Sequence, residues 1–65
     1  MKEELMKIEG AYSIKEYVHI HIDSLEIVID TTDGYVTSKR HGKQVCLFME
    51  ATKEEVLNLV KALVR

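Results

Sequence analysis

Proline and tryptophan are absent from this 65-residue chain, cysteine occurs once and glycine three times. A lone cysteine excludes an internal disulfide, and a small oxidised scaffold carries several, so a cytoplasmic, reducing compartment is expected. Long apolar runs are missing too. The longest, Val45 to Met49 with Cys46 inside it, falls far short of the ~20 residues a membrane helix needs. The opening Met1-Lys2-Glu3-Glu4 is charged and no long apolar stretch follows, so no secretory signal is expected. Neither sign of charge dominates: nine Lys and Arg stand against eleven Asp and Glu, a net charge of −2. That balance argues against nucleic-acid affinity spread over the whole surface. No P-loop, dinucleotide fingerprint or Cys-x-x-Cys motif is present.

What is there reads as one small globular domain spanning 1–65, with 46% apolar and 31% charged residues. A chain this short buries only about 60% of its unfolded surface. Small scaffolds without disulfides or metals often gain stability by oligomerising, which points to a homodimer.

Short turn signals divide the middle of the chain. Asp23-Ser24, Thr31-Thr32-Asp33-Gly34 and His41-Gly42 separate segments rich in Ile, Val, Thr and Tyr. Those segments, Lys15–Ile22, Leu25–Asp30, Tyr35–Arg40 and Lys43–Met49, form a β-meander over 15–49. A two-residue turn at Asp23-Ser24 pairs Ile22 with Leu25, Ile20 with Ile27 and Val18 with Ile29, and on the other side His21 with Glu26 and His19 with Val28. A four-residue loop then pairs Ile29 with Val36. A His41-Gly42 turn pairs Arg40 with Lys43, Ser38 with Val45 and Val36 with Leu47. One face thereby collects Val18, Ile20, Ile22, Leu25, Ile27, Ile29, Val36, Val45, Leu47 and Met49.

A helix follows over 52–65. Thr52-Lys53-Glu54-Glu55 fits a capping box with Thr52 as N-cap. Glu54 and Glu55 suit the positive end of the helix dipole, and Lys61 and Arg65 the negative end. Val56, Leu59, Val60, Leu63 and Val64 make one apolar stripe with Leu57 at its edge. A helix this short is marginal alone and is expected on the aliphatic sheet face. Residues 1–12 read as an N-terminal strand or a short helix: Met1, Leu5 and Ile8 fit one helical side, while Leu5–Glu9 can form a fifth strand beside Lys15–Ile22. The strand is the preferred reading. The fold class is therefore α+β, an antiparallel β-meander of four or five strands with one C-terminal amphipathic helix packed on one face.

The second sheet face is expected to carry Tyr17, His19, His21, Glu26, Val28, Asp30, Tyr35, Thr37, Lys39, Gln44, Cys46 and Phe48. Its semi-apolar character has several readings: the N-terminal segment covers it, the residues are scattered surface apolar side chains, it is a self-association or partner surface built on Tyr17, Val28, Tyr35 and Phe48, or it is a small-molecule site. His19 and His21 project to the same side of a strand, roughly 7 Å apart. Two histidines fall short of a metal centre, which wants three or four protein ligands, so no cofactor is expected and a metal would fall to His19 and His21 if to any residues. Lys39, Arg40, His41 and Lys43 concentrate positive charge at one hairpin tip, either a solvated turn or a contact for an anionic partner. Cys46 lies among Val45, Leu47 and Phe48 and reads as an inert thiol. No nucleophile–base pairing follows from spacing, so catalysis is not expected.

In topology, a meander followed by a C-terminal helix is similar to the single-stranded-DNA-binding domain of the transcriptional coactivator family. That resemblance implies an electrostatic role for the basic tip and stacking roles for Tyr17, Tyr35 and Phe48. No motif specific to that family is present. The preferred reading is a non-enzymatic interaction or regulatory module that binds itself or another protein, with single-stranded nucleic-acid binding as the alternative.

Overall fold

The computed structural model describes residues 2–63, so Met1, Val64 and Arg65 lie outside the described residues. The chain forms a short helix α1 (Lys2–Leu5), five strands β1 (Tyr12–Ile14), β2 (Tyr17–Ile22), β3 (Leu25–Asp30), β4 (Tyr35–Arg40) and β5 (Lys43–Phe48), and a longer helix α2 (Lys53–Leu63). The strands make one antiparallel sheet in the order β1-β2-β3-β4-β5.

The hairpin turns set the register. Lys15, Asp23 and His41 all hold positive φ, at 56°, 54° and 53°. Positive φ at the first turn residue matches the right-handed twist of the flanking strands. The pairs Ile22↔Leu25, Ile20↔Ile27, Val18↔Ile29, Ile29↔Val36, Arg40↔Lys43 and Ser38↔Val45 form as the spacing predicts. The β3–β4 loop closes as four residues, with Gly34 N–H donating to the Asp30 carbonyl at 2.8 Å.

Two expectations are corrected. The first concerns the N-terminus, where Leu5–Glu9 is not a strand. Lys2–Leu5 turns into a helix and the fifth strand is Tyr12–Ile14 instead, joined to β2 through Lys15-Glu16. Leu5 explains the choice, since as a helical residue it reaches the core and is fully buried. The second correction lies in β5. Val36 pairs with Phe48, not Leu47, because a bulge shifts the register between Val36 and Thr37. Phe48 thus turns to the covered side and packs against the core. Val45, Leu47 and Met49, expected inside, are 56%, 39% and 74% exposed.

The core comprises Leu5, Val18, Ile20, Ile27, Ile29, Val36, Val56 and Val60. It lies between β2–β4 on one side and the two helices on the other. Ile8 and Ala11 pack against it, so the N-terminal segment covers the same face as α2. The capping box forms as read: Thr52 N–H donates to Glu55 Oε1 at 2.9 Å and Glu55 N–H to Thr52 Oγ1 at 3.2 Å. Val56 and Val60 of the stripe are buried, Leu57 and Leu59 partly so, and Leu63 is exposed. Lys53 Nζ sits 2.8 Å from Glu4 Oε2 and links the helices. The Lys53 hydrogen bond holds the Glu4 carboxyl below its ordinary range, and Glu4 in turn holds Lys53 above its own.

Gly34 has a second duty beyond its turn. Its carbonyl accepts from Ala51 N–H at 2.8 Å, so the β3–β4 loop lies directly against the chain entering α2. A Cβ there would stand 2.7 Å from the Ala51 nitrogen and closer still to its carbonyl oxygen. Gly42 has the same positive φ and open space around it. Gly42→Ala is therefore expected to cost about 1–2 kcal/mol, the strain of left-handed backbone alone. Gly34→Ala adds backbone overlap and is expected to cost about 3 kcal/mol or more; urea unfolding of the pair checks the difference. Leu5→Ala, which empties a fully buried position, is expected to cost about 2–5 kcal/mol in the same assay.

Candidate functional site: the open sheet face

Because α1, the segment through Ala11 and α2 all pack on one side, the opposite face of the sheet carries no covering element among the described residues. Cross-strand pairing arranges that face in three rows. Tyr12, His19, Val28, Thr37 and Cys46 form the middle row across all five strands. Ile14, Tyr17, Asp30 and Tyr35 form the row at one end, and His21, Glu26, Lys39 and Gln44 the row at the other.

Sequence reasoning placed all of these except Tyr12 and Ile14 on this face. Those two were missed because three residues are too few to show alternation and Lys15-Glu16 has no turn chemistry of the usual kind. Phe48 does not belong here, having moved to the core side with the bulge. Of the expected association residues, Tyr17 and Tyr35 are exposed and Val28 is half-buried; Tyr12 and Ile14 add to them, at 42% and 53% exposure.

At the β1–β2 edge, Tyr12 stacks on His19 with ring centroids 4.9 Å apart and planes within 4°, and on His21 at 6.1 Å and 13°. Glu26 Oε2 lies 3.5 Å from His19 Nδ1 and 3.4 Å from His21 Nε2. The expected cross-strand contact of His21 with Glu26 is therefore present, and His19 shares the same oxygen. Among the described residues, no group of three or more His, Cys, Asp or Glu is arranged to hold a metal ion. The cluster acts as a paired, stacked surface patch.

Towards the β3–β4 loop the face dips into an open groove of about 850 Å³. Tyr17, Val28 and Tyr35 form its floor with Met49, and Asp30, Asp33 and Glu50 supply its charge. The groove wall is held from within. Asp30 Oδ1 accepts from Thr32 N–H at 2.9 Å and Asp33 N–H at 3.3 Å. Thr31 donates twice to the Glu16 carbonyl, from its N–H at 3.0 Å and its hydroxyl at 2.7 Å. A loop bonded at each residue presents its carboxylates in a preset position and loses little freedom on contact.

At the other end of β4 and β5, Lys39, Arg40, His41 and Lys43 are all exposed. Lys39, Arg40 and Lys43 form no ion pair among the described residues, and neither do Asp33 and Glu50. Cys46 is exposed and its thiol donates to the Phe48 carbonyl at 3.5 Å. The groove is open to solvent. No described helix is long and apolar enough to cross a membrane. Comparison with known proteins finds no matching family model, curated protein or solved structure.

Tyr35 and Cys46 interact across β4 and β5. The Cys46 hydrogen bond, then its charge, then partial desolvation push the Tyr35 phenol above its usual range. Cys46→Ala is expected to lower the titration of the Tyr35 phenol, read by ultraviolet absorbance. An unchanged curve would place the two groups apart.

Proposed function

We propose that this chain is a small, non-enzymatic protein-interaction module that works through the open sheet face, with a second copy of itself as its first partner. The observation that supports this reading is the exposure of Tyr12, Ile14, Tyr17 and Tyr35 together on the face that neither helix covers. Tyrosine is enriched at the cores of protein interfaces, because it offers a large rigid apolar surface and a polar end. An antiparallel sheet solvated on one side ordinarily alternates to charged and hydroxyl residues there. This one sets Tyr12 and Ile14 on the β1 edge and Tyr17, Val28 and Tyr35 on the inner strands.

The alternative, single-stranded nucleic-acid binding, draws support from the exposed Lys39, Arg40, His41 and Lys43. It loses one of its three stacking residues with Phe48. Asp30, Asp33 and Glu50 also surround Tyr17 and Tyr35 with charge that repels phosphate. The protein reading is therefore preferred.

Light scattering over a tenfold range of concentration tests it. The wild-type mass is expected to rise from one chain towards two. Tyr17→Ser with Tyr35→Ser, both at exposed positions, is expected to hold the mass at one chain while far-ultraviolet circular dichroism stays unchanged. A wild-type mass fixed at one chain, together with oligonucleotide binding that Lys39→Glu and Arg40→Glu abolish, would transfer the assignment to nucleic acid.

A further inference from the structure

One row of the open face sets a carboxylate between two aromatic rings. Asp30 pairs with Tyr17 on one side and with Tyr35 on the other, so the three stand on the adjacent strands β2, β3 and β4. At the usual strand spacing each ring lies about 5 Å from Asp30 across the sheet. Asp33 and Glu50 stand on the same groove, both exposed, and none of the described basic side chains lines it.

The chain's own cations stand elsewhere. Arg40 pairs with Leu25, which packs against the core, and with Lys43, so both cations have the parity of the helix-covered side. Lys39 is on the open face but opposite Glu26, four residues along β4 from Tyr35 and about 13 Å away at the usual rise. Lys15 sits in the β1–β2 turn, outside the lining. A second copy laid face to face presents Glu26 and Asp30 against Lys39, a surface without the positive charge this groove calls for.

We infer that the groove receives an arginine side chain from a segment of a different protein laid along the open face. This rests on the reading of that face as a protein contact surface and names the partner chemistry at its groove end. The contact shares Tyr17 and Tyr35 with self-association, so the two exclude each other.

A guanidinium suits the row on two counts. Its plane lies on a tyrosine ring, and its forked N–H groups reach the carboxylate beside that ring. Asp30 is prepared for this: both loop bonds land on Oδ1, and Oδ2 accepts none among the described residues. Desolvation excludes other partners. A neutral or acidic surface over the groove would bury Asp30 beside Asp33 and Glu50 with nothing to offset their charge. A small free cation in so open a groove keeps most of its water and gains little. A protein segment brings its own cover, and Ile14 and Val28 beside the rings give it apolar footing. The contact is exposed, so it is weak and weakens further with salt.

Nitrogen-15 NMR titration with capped peptides tests the inference, with light scattering giving the mass at each point. The peptide Gly-Arg-Gly-Arg-Gly is expected to move the amide signals of Tyr17, Asp30, Asp33, Tyr35 and Glu50, and Gly-Glu-Gly-Glu-Gly to leave them in place. Asp33→Asn with Glu50→Gln, both at exposed positions, is expected to weaken the arginine peptide about fivefold. Tyr35→Phe keeps the ring and is expected to bind nearly as wild type does, while Tyr35→Ser weakens binding about threefold. A dispersed amide spectrum shows that each variant is folded. If the peptide moves the signals of Glu3, Glu9 and Asp23 as much as those of the groove, or binds the neutralised variant like wild type, the attraction is general and the assignment is overturned. If the groove signals stay in place while Tyr17→Ser with Tyr35→Ser still lowers the wild-type mass, the inference falls and the association face stands. Peptide binding by a wild type fixed at the monomer mass keeps the groove and removes the second copy.

Discussion

An α-helix with its side chains is about 10–12 Å wide, whereas five strands span about 20–24 Å. Most of the architecture follows from that mismatch. The single long helix α2 covers the middle of one sheet face, where every buried strand residue lies on β2, β3 or β4. The N-terminal segment extends the cover through Leu5, Ile8 and Ala11. Among the described residues no further element covers β5, whose residues are exposed up to Phe48, or the opposite face.

The same constraint separates what was legible in the sequence from what was not. Turn chemistry and strict alternation predicted the pairing of β2 with β3 and of β3 with β4, because a one-residue slip there would expose a whole row of aliphatics. The capping box predicted α2 because Thr52 and Glu55 satisfy each other locally, without reference to the rest of the fold. β5 lacked any such check. Cys46, Leu47, Phe48 and Met49 are all apolar, so either parity looks acceptable, and only the bulge turns Phe48 against the core. Val45, Leu47 and Met49 carry the pattern of core residues but lie beyond the width of the helix. Their exposure is a matter of coverage rather than of pattern.

For the candidate site, the membership of the open face followed from register, while its condition did not. Whether residues 1–12 cover that face depends on Leu5, which has apolar partners only on the α2 side. Alternation alone does not decide between the two sides. The Tyr12–His19–His21–Glu26 patch was half visible: pairing placed His21 opposite Glu26, but Tyr12 joins only once β1 is known. The preset groove could not be read at all, since it depends on hydrogen bonds that the Asp30 carboxylate accepts from the loop and that Thr31 donates back to Glu16.

An exposed sheet face bearing four large apolar side chains is a liability unless charge limits how another surface can approach it. On this face Glu26 and Asp30 stand on β3, Lys39 lies opposite Glu26 on β4, and Asp33 and Glu50 flank the tyrosine groove. A surface that covers Tyr17 and Tyr35 must bring positive charge to that end or leave those carboxylates desolvated. The restriction costs nothing in the core, because every charged residue that imposes it lies outside the Leu5–Val60 cluster.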